Sequence, residues 1–129
     1  MIYQRFIIVI VILVASFTNS QLFAASTKSY ICDFPSYSDQ RGNKKTKNSF
    51  RLQFLQDLEA EKAYIMGNNG ANPVYVIPND GGLTFIEITG TGNVMTTVIL
   101  FTGPSVHSRS GIMLGKIIPS QYYGSCIIK

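Results

Sequence analysis

The sequence predicts an all-β fold, a small antiparallel up-and-down barrel of about eight strands, and three observations carry that prediction. Short runs rich in Val, Ile, Thr, Tyr and Phe recur from residue 29 to the C-terminus, separated by Gly, Asn and Pro clusters of the kind that reverse a chain. No long stretch beyond residue 25 keeps a helical period. The only two cysteines, Cys32 and Cys126, bracket nearly all of that region. One disulfide between them would tie the first strand to the last and let a meander close on itself. A two-sheet sandwich is the alternative, because turn spacing does not separate the two.

The first 25 of the 129 residues read as an export signal. Arg5 supplies the positive flank, residues 6–17 form an apolar run too short for a bilayer core of roughly 30 Å, and small Ala24, Ala25 and Ser26 offer a cleavage site. Residues 26–129 then make one exported domain, and export favours a disulfide over metal or redox use of the cysteines. Closing a loop of roughly ninety residues is worth about 4 to 5 kcal/mol in the chain-entropy model.

Along the domain, Tyr30, Cys32 and Phe34 alternate with Ile31 and Asp33 as a half-buried strand does, and Pro35 is expected to end it. Polar, basic residues 36–47 are expected to form the longest exposed loop. Phe50, Leu52 and Phe54 alternate with Arg51 and Gln53 in the second strand, which Asp57 closes. Residues 55–64 fit strand, turn, strand, although Leu55, Leu58, Ala60 and Ala63 could also line a helical turn. Gly67-Asn-Asn-Gly70 and Pro78-Asn-Asp-Gly-Gly82 are reversal signals on either side of a strand around residues 74–77. Residues 83–89 and 93–101 follow, joined at Gly90-Thr-Gly92, and the second of them, apolar on both faces, is expected to be central and covered on both sides. After Gly103-Pro104 comes a strand interrupted at Gly111, where a bulge or sharp bend is expected. Gly115 reverses the chain into a closing strand, where Tyr122 and Tyr123 must face opposite ways and Gly124 lets Cys126 approach Cys32.

The formal charge of +4 is mild and does not point to nucleic acid. Arg41, Lys44, Lys45 and Lys47 are nevertheless crowded together, followed soon by Asp57, Glu59 and Glu61. Such a cluster is either a solvated segment or a contact for an anionic surface, polymer or lipid headgroup.

For chemistry the chain offers little. With one histidine and both cysteines committed to the disulfide, no metal site and no cofactor is implied. His107 and Ser108 diverge on a strand, no nucleophile elbow occurs, and no pair of carboxylates suits glycoside hydrolysis. Glu87 lies within Phe85-Ile-Glu-Ile88, where a carboxylate is costly unless paired or facing water. Its strand and that of Arg109 should flank a common neighbour, so Glu87, His107 and Arg109 could together hold a small polar or anionic ligand.

Tyr30-Ile-Cys32, Phe85-Ile-Glu87, Gly92-Asn-Val94, Val106-His-Ser-Arg109 and Pro119-Ser-Gln-Tyr-Tyr-Gly-Ser-Cys126 resemble a family of small, exported, uncharacterised proteins of Gram-negative bacteria. That resemblance covers most of the exported domain and implies no activity, so it assigns no functional residue. In outline alone, a disulfide-tied small barrel also resembles bacterial inhibitors of host lysozyme. Their Gly- and Tyr-containing loop motifs are missing here, and a basic protein would be repelled by a basic lysozyme.

The expectation is a non-enzymatic binding module of the cell envelope, periplasmic or secreted. It would meet an envelope or extracellular partner, bind no nucleic acid and keep no stable membrane insertion once the signal is cleaved. An inhibitor or structural protein acting through its loops is the alternative. A small hydrolase using Glu87 and His107 comes third.

Overall fold

Eight strands follow one another: β1 (Thr27–Asp39), β2 (Gly42–Asp57), β3 (Lys62–Gly67), β4 (Gly70–Asn79), β5 (Gly82–Ile88), β6 (Val94–Leu100), β7 (Pro104–Met113) and β8 (Lys116–Ile128). The computed structural model describes residues 26–129, and the expected export signal lies outside the described residues. Each strand pairs antiparallel with the next, and β8 returns to β1, so the layer closes into a barrel rather than splitting into a sandwich.

Period-2 alternation decides what fills it. Tyr30, Phe34, Phe54, Ile65, Leu83, Phe85 and Ile99 all turn inward and are buried. Phe54 and Phe85 stack with ring centroids 4.3 Å apart, and Tyr30 meets Phe85 edge-on at 5.2 Å. The Tyr30 hydroxyl donates to Gln56 Oε1 at 2.8 Å, which lets a phenol sit in an apolar interior. An eight-stranded barrel is just wide enough for side chains to fill, and this one is filled.

At the seam, Cys32 and Cys126 are direct cross-strand partners and form the disulfide, 94 residues apart in sequence. Above it the ladder is irregular. Phe34 pairs with Phe50 but Ser36 with Lys45, so four residues of β2 stand opposite Pro35 alone. Proline has no N–H to give a ladder and is tolerated where the register breaks. Here the Thr46 hydroxyl donates to the Phe34 and Pro35 carbonyls across the gap. Two expectations are corrected by this. Pro35 does not end β1, and residues 36–47 are not a loop but the top of a long hairpin whose turn is Gln40-Arg41, with Asp39 Oδ1 accepting from the Arg41 N–H at 2.8 Å. The same break brings the Asp33 carbonyl across β8, and a side chain at Gly124 would collide with it. Gly124 therefore admits a backbone crossing.

Two more corrections concern β6 and β7. Val94, Val98 and Leu100 are exposed, because a single closed layer has one inner face and nothing packs outside it. At Gly111 there is no bulge: the β7–β8 register runs unbroken from Pro104↔Ser125 to Met113↔Lys116. What requires glycine there is the Asn93 side chain, which lies where a Cβ would be.

Candidate functional site

Strand pairing puts Glu87, Met95 and Arg109 in one row across β5, β6 and β7, all on the inward parity of buried Phe85 and His107. Thr97, His107 and Tyr122 form the next row, deeper in the barrel. His107 is 2% exposed; its Nδ1 lies 2.8 Å from Thr97 Oγ1, and the rings of Phe34, Phe50 and Tyr122 surround it with centroids 5.6 to 6.0 Å away. Its Nε2 has no hydrogen-bond partner. Burial, with a smaller push from the Arg109 charge, lowers its pKa from 6.5 to about 4, so the ring is neutral. His107 is enclosed in the core.

Glu87 and Arg109 sit nearer the mouth, half-buried. Burial raises the Glu87 pKa and the Arg109 charge partly offsets it. The ion pairs among the described residues are Arg41–Asp39, Lys44–Asp39 and Arg51–Asp33, so Glu87 and Arg109 share a row without joining. Arg109 borders a cleft of about 40 Å³ walled by Met95, Gly111 and Ile118, and also a wider, open hollow of about 390 Å³ that it shares with Asp39, Ser120 and Gln121; Glu87 lines neither. The structure thus brings together two of the three expected polar residues and seals off the third. Ser105 shares the inward face with His107, but its buried Oγ has no partner, so the two make no nucleophile–base contact. Among the described residues no group of three or more His, Cys, Asp or Glu could hold a metal.

Antiparallel alternation sends the β1–β2, β3–β4, β5–β6 and β7–β8 turns to one end, and the other turns with both described termini to the opposite end. Charge divides along the same axis. The first end carries Arg41, Lys44, Lys45, Lys47, Arg109 and Lys116 against Asp39 and Glu87; the other carries Asp57, Glu59, Glu61 and Asp80 among Lys28, Lys62 and Lys129. Within the cationic hairpin, Lys44 Nζ is 2.7 Å from Asp39 Oδ2 and lies over the Tyr37 ring. The Lys44 hydrogen bond, then that of the Arg41 N–H, holds the Asp39 carboxyl below the usual carboxylate range. Lys45 and Lys47 are exposed and join no ion pair among the described residues.

Next to it stands a feature the sequence reading missed. The last β6–β7 pair is Val94↔Ser110 and the last β1–β8 pair is Asp39↔Ser120, so the β7–β8 hairpin beyond them has no neighbour on either edge. Its root is tied by Asn93, whose Oδ1 accepts from the Ile112 N–H at 3.0 Å. Its tip is Leu114-Gly115, both at positive φ, 50° and 72°. That is a two-residue hairpin turn in which leucine holds a place normally filled by Asn, Asp or Gly. Leu114 is 96% exposed, and Ile112, Met113, Ile117 and Ile118 are exposed with it. A groove of about 440 Å³ separates this finger from Gln40 and Arg41 of the neighbouring hairpin. The run Ile-Met-Leu-Gly-Lys-Ile-Ile was the visible signal, an apolar turn lacking the polar residues that ordinary turns use.

No protein-family model, no curated protein and no solved structure matches the chain.

Proposed function

We propose that the protein is a non-catalytic binding module, periplasmic or secreted, that engages its partner through the end bearing the β1–β2 and β7–β8 hairpins. The observation that carries the reading is the uncovered apolar finger, whose tip keeps a leucine in a left-handed conformation. Glu61 at the opposite end is left-handed as well, at φ 53°, so it is the exposed apolar run at the tip, rather than the backbone conformation, that singles this end out. The filled interior supports binding from outside the barrel rather than within it. The disulfide supports a location outside the cytoplasm.

Photo-crosslinking side chains placed at Gln40 and Ile117, and for comparison at Asp80 and Phe101 of the opposite end, test this in living cells. Adducts, to protein or to lipid, should form from the first pair and not the second; adducts of neither kind from either end, or from the second alone, would discard the reading. A second reading, capture of a small polar ligand by Glu87 and Arg109, is favoured by the absence of an ionic partner for either group among the described residues, and it ranks behind because Glu87 lines neither hollow beside Arg109.

A further inference from the structure

Resting on that reading, we infer that the partner is an anionic lipid surface, met by the finger tip as an apolar wedge and by the surrounding cations as headgroup contacts. From Ser120 to the turn, four residues of β8 project, about 13 Å of strand at 3.3 Å per residue and about 10 Å along the axis of a barrel with ordinary strand tilt. Interfacial segments bury their apolar face about 5 to 10 Å into the headgroup and acyl boundary. The finger therefore has the reach for that boundary and no more. Its unpaired strand edges would be costly any deeper, where backbone groups find no water.

Its side chains agree with this depth. The side chains of Ile112, Met113, Leu114, Ile117 and Ile118 are wholly apolar and carry no hydrogen-bonding group that would be lost on leaving water. Lys116, the single charge among them, is long enough to lay its stem along the apolar surface while its ammonium stays at headgroup level. Arg41 stands across the groove at the foot of the finger, with Lys45 and Lys47 exposed behind it. Each basic residue near an anionic leaflet contributes about 1 kcal/mol. At the far end Asp57, Glu59, Glu61 and Asp80 offset Lys28, Lys62 and Lys129, so the cationic excess that would orient the protein lies at the finger end. Such docking is peripheral and reversible, and differs from stable insertion.

Co-sedimentation of the full chain with vesicles of phosphatidylcholine, or of phosphatidylcholine and phosphatidylglycerol in equal amounts, tests it. Binding is expected to the mixed vesicles, not to the neutral ones, and to weaken as salt is raised. Leu114→Asn should cut partitioning by about tenfold or more, the loss expected when a buried leucine is removed. The same variant should melt higher than the parent, because asparagine accepts a left-handed backbone that leucine resists. Lost binding in a better-folded protein cannot be attributed to misfolding. Arg41→Gln combined with Lys45→Gln should cost about fivefold per charge. No binding to the mixed vesicles, or binding that both variants keep, would overturn the inference, the latter because it would trace to the apolar N-terminal run instead. Protein adducts from Ile117 alongside failed vesicle binding would leave the binding end standing and remove the lipid; no adducts and no vesicle binding would remove both.

Discussion

Neutral His107, bonded to Thr97 and walled by Phe34, Phe50 and Tyr122, makes the fold sensitive to acid. An unfolded chain protonates this ring below pH 6.5, whereas the folded one resists until about pH 4. Between those values the unfolded state binds more protons, so stability rises with pH and is lost as pH falls through the window. The full effect is about 3 kcal/mol. Glu87 acts against it, because a carboxyl whose folded pKa is raised favours the fold at low pH and loses that advantage as pH rises. Asp33 and Asp39, both lowered chiefly by hydrogen bonds from Arg51 and Lys44, lose their contribution only further down, in the carboxylate range. Melting temperatures measured from pH 7 to pH 4 should therefore slope downward. His107→Gln should flatten that slope and Glu87→Gln should steepen it. A parent profile as flat as that of His107→Gln would mean the histidine is solvated. Its enclosure was not readable beforehand: Val106-His-Ser-Arg fixes the parity of the residues, but which side is inside depends on Phe34 and Phe50 from distant strands. Thr97 gives no local sign of its bond to that ring either, since the pairing of β6 with β7 is what brings the two together.

Among whole elements, the closest approaches of strands decide which glycines matter. A side chain at Gly124 would strike the Asp33 backbone and one at Gly82 the Ile99 backbone, whereas one at Gly90 would meet nothing. Gly124→Ala and Gly82→Ala should each destabilise by about 1 to 3 kcal/mol, the usual cost of forcing atoms into packed structure. Gly90→Ala should fall within about 0.5 kcal/mol of the parent. Urea denaturation of the three variants would check this, and equal losses at Gly90 and Gly124 would mean that the seam adapts. The hairpins at Gly67–Gly70 and Pro78–Gly82 and the strands around Phe85 and Thr97 were legible, because local turn chemistry and alternation agree there. The β1–β2 hairpin was not. Its residues 36–47 are polar enough for a loop, and the bond from Thr46 that carries the strand past Pro35 is a contact between strands, which local pattern does not encode. Nor was the β7–β8 finger, since a strand's own sequence says nothing of where its neighbours stop. The basic cluster was visible as Arg41, Lys44, Lys45 and Lys47, but its meeting with the finger follows only from the strand count and closure.

At the scale of the molecule, closure makes stability depend on contacts between the two ends of the chain. The β1–β8 ladder joins residues some ninety apart, and loop-closure entropy opposes its formation until the whole meander is in place. Tyr30, Cys32, Phe34 and Cys126 all belong to the core, so an open seam would expose the interior rather than merely fray an edge. The disulfide removes most of that entropy from the unfolded state, by about 4 to 5 kcal/mol for a loop of 94 residues in the chain-entropy model. That is a large share of the roughly 5 to 15 kcal/mol by which domains are stable at all. Reduction, or Cys32→Ala with Cys126→Ala, should accordingly lower the unfolding free energy by most of that amount, and the urea midpoint with it. The slope of the unfolding transition should also rise, because an unpinned denatured chain expands and exposes more surface to denaturant. The two readouts separate mechanisms. A lower midpoint with an unchanged slope would mean that the bridge acts by holding the folded seam. A midpoint that hardly moves would mean that the ladder, and the aromatic packing behind it, closes the barrel unaided.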